Sequence, residues 1–234
     1  PDQRPSGRDH TGSPGKFEAW ATLGWGSAQR TIAEIDRCVK QLGLSVHLFS
    51  NVKSEDPGQQ RVLVSVAAIE SLNVPMDMHL TAPINMNGID HRPLVPGMAF
   101  MFDTILATVL MVKSGVFQEY PGLKLIVPHT GGFVPFIRGR VGRMIDAWTS
   151  PDDWAELSES SQAYFDKIYV DTVAHSPAAL EYCFKMHGAE WLLYGTDHPF
   201  AYFELFNEMV DGLDCSEAVR ELINHGSAER LLGL

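Results

Sequence analysis

Cysteine is scarce in this chain: Cys38, Cys183 and Cys215 are the three in 234 residues, they lie far apart, and no C-x-x-C pair occurs. Neither a disulfide framework nor a thiolate zinc knuckle is suggested, and a reducing, cytoplasmic setting is expected. Positive charge is short as well. Eighteen Lys and Arg stand against 29 Asp and Glu, a net charge of -11, which argues against nucleic acid or an anionic membrane as a partner. No apolar run reaches the ~20 residues of a spanning helix. The longest, residues 98–112, is interrupted by Asp103, Thr104 and Thr108 and reads as a buried or interface helix. Phosphate-cradling glycine loops of the G-x-G-x-x-G or Walker type are absent, and so are internal repeats and low-complexity linkers. The opening PDQRPSGRDHTGSPG lacks the order of a signal or transit peptide. The expected organisation is a loop or remnant of an upstream segment over residues 1–16 and one domain over 17–234.

What the chain does have is apolar material for one sizeable core, with 45% hydrophobic residues. Six short runs rich in β-branched and aromatic residues are expected strands: 17–23, 45–49, 74–80, 123–128, 167–171 and 191–195. Helical segments separate them, among them 27–42 with Ser27 as N-cap and Gly43 as C′, 60–72, and the closing 216–231. Several strands lack polar alternation, as buried parallel strands do. This βαβα order specifies an α/β fold, and both an open doubly wound sheet and a (β/α)8 barrel of TIM type satisfy it.

Polar residues recur at the C-terminal ends of these strands: His79 after VPMDM, His129 after LKLIVP, Asp171 after KIYV and Asp197 after LLYGT. In a parallel barrel all strand ends open onto one face, where barrel enzymes carry their chemistry. Two histidines and a carboxylate suit Zn²⁺, Mn²⁺ or Fe²⁺. A lone histidine at a strand end is more often a hydrogen-bonded loop residue, but four such residues at successive strand ends are much less easily dismissed.

The segments LKLIVPHTGGFVPFIRGRVGRM, KIYVDTVAHSPAALEYC, WLLYGTDHPF and the closing HGSAERLLGL resemble the amidohydrolase-related (amidohydrolase 2) family of aminocarboxymuconate-semialdehyde and resorcylate decarboxylases. Its most specific parts are the H-x-G-G-x-x-P block from His129 and the G-T-D-x-P block from Gly195. The resemblance implies a barrel of the metal-dependent hydrolase superfamily. It implies His79 and Asp197 as metal ligands from the fifth and eighth strands, and His129 from the sixth as the catalytic histidine, with Asp197 able to shuttle a proton. The implied cofactor is a divalent ion, zinc before manganese or iron. Arg140 matches an arginine that reaches across a dimer interface to a substrate carboxylate, and a solvated helix position is the competing reading. His175 either lines the pocket or lies on the loop surface. His198 stands where the family often has tyrosine, beside or facing the substrate.

Other residues are expected to be structural. His47 packs in the core or the helix layer, His10, His187 and His225 lie at the surface, and Arg138 and Arg143 are surface or interface charges. His91 lies in the connection after His79 with nothing to fix it. Trp25 and Phe200 are candidate pocket walls, with core packing preferred for Phe200.

One departure from the family stands out: its H-x-H pair at the first strand occurs nowhere in this chain. Counting back from residue 195 as the end of the eighth strand makes residues 17–23 the third. The first two strands are therefore expected to be missing, and the edges of a six-stranded remnant would need cover. The expected activity is a metal-dependent lyase decarboxylating a small unsaturated or phenolic carboxylic acid. A metal-dependent hydrolase of a lactone, amide or related bond and a non-catalytic barrel fragment are the alternatives. A homodimer is expected, with residues 98–112 and 138–143 at its interface.

Overall fold

The computed structural model describes residues 18–23, 27–49, 60–79, 83, 89, 91, 93–148 and 155–234. Its strands are β1 (Trp20–Leu23), β2 (Ser45–Phe49), β3 (Met76–His79), β4 (Leu125–Val127), β5 (Tyr169–Asp171) and β6 (Leu192–Leu193). They form one sheet in sequence order, and every neighbouring pair is parallel. A doubly wound sheet reverses its strand order at a switch point. No reversal occurs among the described strands, and the fold is α/β of TIM-barrel type.

Alternation along the strands gives the sheet two unlike faces. Leu23, Val46, Met76, Met78, Leu125, Val127, Val170 and Leu192 join the main core with Ile35, Val66, Ile69, Val112 and Leu180 from the helices. Burying each such side chain contributes about 1.5 to 3 kcal/mol. The opposite face carries His47, Asp77, His79 and Asp171, with Ile126 and Leu193 closing its apolar end against Leu231 of the final helix, Ser227–Leu232.

The helices follow their local signals. The first, Ala28–Asp36, runs on through a wider π turn, Arg37–Gln41, and stops at Gly43, whose φ of +66° suits a residue without Cβ. Ser27 holds the N-cap position without a side-chain hydrogen bond, whereas Ser216 Oγ does accept from the Val219 N–H. The apolar run at 98–112 is longer than its sequence implied: a π turn at Val95–Ala99 extends Phe100–Lys113 to a 19-residue helix, enough by length and composition to cross a membrane. Its Thr104, Ala107, Thr108, Met111 and Val112 are nevertheless buried in the fold. The hydroxyls of Thr104 and Thr108 donate to the carbonyls of Phe100 and Thr104, which satisfies them inside the core.

Candidate active site

The site begins at the end of β4. Residues His129, Thr130, Gly131 and Gly132 all have positive φ, at 58°, 53°, 73° and 61°. The two glycines take this left-handed path freely, and a Cβ on Gly131 would lie 3.0 Å from Val170 Cγ1. For His129 and Thr130 the conformation costs about 1 to 3 kcal/mol each, so the surroundings must hold it. Asp171, the last residue of β5, does so. Its Oδ2 accepts the His129 N–H at 2.9 Å, and its Oδ1 accepts the N–H groups of Thr130 at 2.8 Å and Val173 at 3.0 Å. The Thr130 hydroxyl donates to the His129 carbonyl at 2.7 Å.

The His129 imidazole faces His79 at the end of β3, with ring centroids 5.6 Å apart and the rings at 63°. His79 in turn lies 5.6 Å from the His47 ring. Period-two alternation puts Asp77 and His79 on one face of β3, and strand register sets His47 opposite Asp77, where Nδ1 and Oδ2 are 2.7 Å apart. Asp197 follows β6 with φ 53° and its carbonyl accepts the Phe200 N–H at 2.8 Å. Gly195, two residues earlier, is held by Thr172, whose hydroxyl both donates to the Gly195 carbonyl at 2.8 Å and accepts its N–H at 3.0 Å.

Burial pushes the His129 imidazole below the usual histidine range; the Asp171 and Asp197 carboxylates oppose that shift and His79 adds to it. The ring is therefore neutral near pH 7. Its Nδ1 is buried and has no hydrogen-bond partner among the described residues. Burial raises the Asp171 carboxyl, against the pull of His129 and the three N–H donors. His79 and Asp197 offer the donor chemistry a divalent ion takes. Among the described residues, however, no group of three His, Cys, Asp or Glu converges to hold one, and two ligands fall short of the three or four such an ion needs.

The structure brings His79 and His129 together, with Asp171 and Asp197 close enough for their charges to act on His129. Arg140, on the helix Val134–Trp148, and His175 and His198 are exposed. Among the described residues no hydrogen bond or ion pair ties these three to that cluster, and the His175 ring instead meets Phe206 edge-on at 5.3 Å.

Four expectations are corrected. His47 faces the site side of the sheet and pairs with Asp77, because strand register, invisible in a mixed apolar run, decides its face. Arg138 is 6% exposed: it pairs with Asp166 at 3.0 Å and donates from Nη2 to the Met186 carbonyl at 2.8 Å. His187 is buried beside it, and burial together with the Arg138 charge lowers its pKa to about 4. Phe200 is 87% exposed and takes no part in a core. His225 and Arg143 are exposed as expected, while His10, Trp25 and residues 1–17 lie outside the described residues. Sequence reading missed Thr172 altogether; its position directly after a strand-end aspartate was the available signal.

A parallel strand-helix sheet in sequence order with histidines and aspartates at its strand ends is the arrangement of a barrel-type enzyme. The chain belongs to the Amidohydro_2 family, described as amidohydrolase, whose profile matches residues 8–234. Among its relatives is the 2-amino-3-carboxymuconate-6-semialdehyde decarboxylase of Dictyostelium discoideum, 30% identical over 95% of this chain and 62% of that protein. The gamma-resorcylate decarboxylase of Rhizobium sp. (strain MTP-10005) is 25% identical over 94% of the chain and 71% of its own length. The crystal structure of a dihydroxybenzoic acid decarboxylase from Polaromonas sp. JS666, with bound manganese and the inhibitor 2-nitroresorcinol, superposes with a TM-score of 0.83 at 23% identity, covering 95% of this chain and 71% of that one. The chain thus spans about two thirds of the length of these relatives.

Proposed function

We propose that this chain carries the proton-transfer side of a metal-dependent decarboxylase acting on a small phenolic or unsaturated carboxylic acid. The observation that carries the reading is the buried His129 imidazole, held by Asp171 in a left-handed turn and facing the His79 ring at 5.6 Å. Decarboxylation replaces a C–CO2⁻ bond by a C–H bond, so a proton must reach that carbon. His129 relays a proton to that carbon, its imidazole made a better acid by burial, with the Asp197 carboxylate acting on its charge in the opposite sense. The activities of the related decarboxylases support this reading.

His79 and Asp197 would supply two of the ligands of a divalent ion, zinc by donor chemistry, with manganese the ion bound in one related structure. Such an ion, completed by further ligands, would polarise a substrate oxygen. Arg140 holds the substrate carboxylate of a neighbouring subunit in a homodimer. The dimer is supported by an exposed apolar stripe, Leu94, Met98, Phe102 and Leu106, spaced one helical turn apart, with the exposed Phe133 ring against Phe102. Incubating the purified, metal-analysed protein with 2,6-dihydroxybenzoate and with an aromatic lactone tests the activity. CO2 release from the first is expected; ring opening of the lactone alone would make the protein a hydrolase, and neither product would make it a non-catalytic barrel.

A further inference from the structure

Two adjacent side chains at the end of β5 each grip the backbone of a different neighbouring strand end. Asp171 reaches back to the turn after β4 and accepts the N–H groups of His129 and Thr130. Thr172, wholly buried, reaches forward to Gly195 after β6 and makes a reciprocal pair of hydrogen bonds with its carbonyl and N–H. The contact is close, because a Cβ on Gly195 would stand 3.2 Å from Asp171 Cβ. On either side lies a residue in a left-handed conformation that is unfavourable for a side-chain-bearing residue: His129 at φ 58° and Asp197 at φ 53°.

We infer that Asp171 and Thr172 form one clamp, positioning residues that hold His129 and Asp197 in fixed relation through the backbone of three consecutive strands. Neither residue needs to touch substrate. The turn after β4 relaxes when Asp171 lets go, and the strand exit leading to Asp197 relaxes when Thr172 does. The kinetic arm rests on the decarboxylase reading above; the exchange arm does not.

Two nearly isosteric substitutions separate the halves. Asp171→Asn keeps one acceptor oxygen but sets an amide N–H₂ against one of the clamped N–H groups. Thr172→Val removes the hydroxyl, and Thr172→Ser restores it. Amide hydrogen exchange, read by NMR on the intact protein, is expected to speed up about tenfold or more at His129 in Asp171→Asn and at Gly195 in Thr172→Val, each without the other. Turnover is expected to fall about 10- to 100-fold in both, with KM within about threefold, and Thr172→Ser is expected to recover it. Unchanged exchange at His129 and Gly195 overturns the clamp, as does faster exchange spread over the whole sheet or turnover within about twofold of wild type. If Asp171→Asn does not fold, the Val and Ser variants at Thr172 decide. If the wild-type protein releases no CO2, the decarboxylase reading fails and exchange alone judges the clamp.

Discussion

His47 Nδ1 and Asp77 Oδ2 lie 2.7 Å apart on neighbouring strands, in direct register, with the His47 ring 5.6 Å from His79. The pair stands next to the histidine that faces His129. A double-mutant cycle with His47→Ala and Asp77→Ala, read by chemical denaturation, is expected to give a coupling energy of about 1 kcal/mol. Additive single effects would show that the two side chains stand near each other without stabilising the fold.

Replacing His129 by Asn removes the imidazole but keeps a residue that tolerates left-handed φ. Turnover is expected to drop by about 10² to 10⁴, while thermal unfolding shifts by no more than a few degrees. A large fall in melting temperature would mean that the ring supports the turn rather than the reaction.

His187 makes the fold sensitive to acid. Its imidazole stays neutral in the folded protein down to about pH 4, whereas in the unfolded chain it protonates near 6.5. Between these values the unfolded state binds the extra proton, so stability falls as pH drops through this window and is regained as pH rises above it. The loss from this group amounts to about 3 kcal/mol at its limit. Denaturation midpoints followed from pH 7 to 4 are expected to decline less steeply in His187→Phe. An identical decline in both proteins would place the acid sensitivity elsewhere.

Phe102 is 52% exposed and its ring stands 5.8 Å from that of Phe133. A charge at its position disfavours burial against a second copy of the chain. In sedimentation velocity the wild-type protein is expected to run as a dimer and Phe102→Asp as a monomer. A monomeric wild type refutes the proposed interface.

Most of the architecture was legible because strand identity depends on local composition. All six expected strands are present, though β6 shrinks to Leu192–Leu193, its first expected residue taken by the 3₁₀ turn Ala189–Trp191. The convergence of His79 and His129 was legible because each stands at the end of an expected strand, and in a parallel sheet strand ends share one edge. His47 was not: which face a mid-strand residue takes depends on its partner's register. Arg138 and His187 look like ordinary polar helix positions until Asp166 and the Met186 carbonyl are placed opposite Arg138. Such burial is a property of packing between distant segments and leaves no local pattern.

The sheet's strict sequence order also governs when chemistry becomes available during synthesis. Among the described strands each pairs with its neighbours in sequence, so the sheet can grow strand by strand as the chain emerges from the ribosome. His79 and His129 would then face each other early, on an incomplete scaffold. Asp197 follows β6, so it joins the two histidines only when β6 docks beside β5, the last of these six strands to be made.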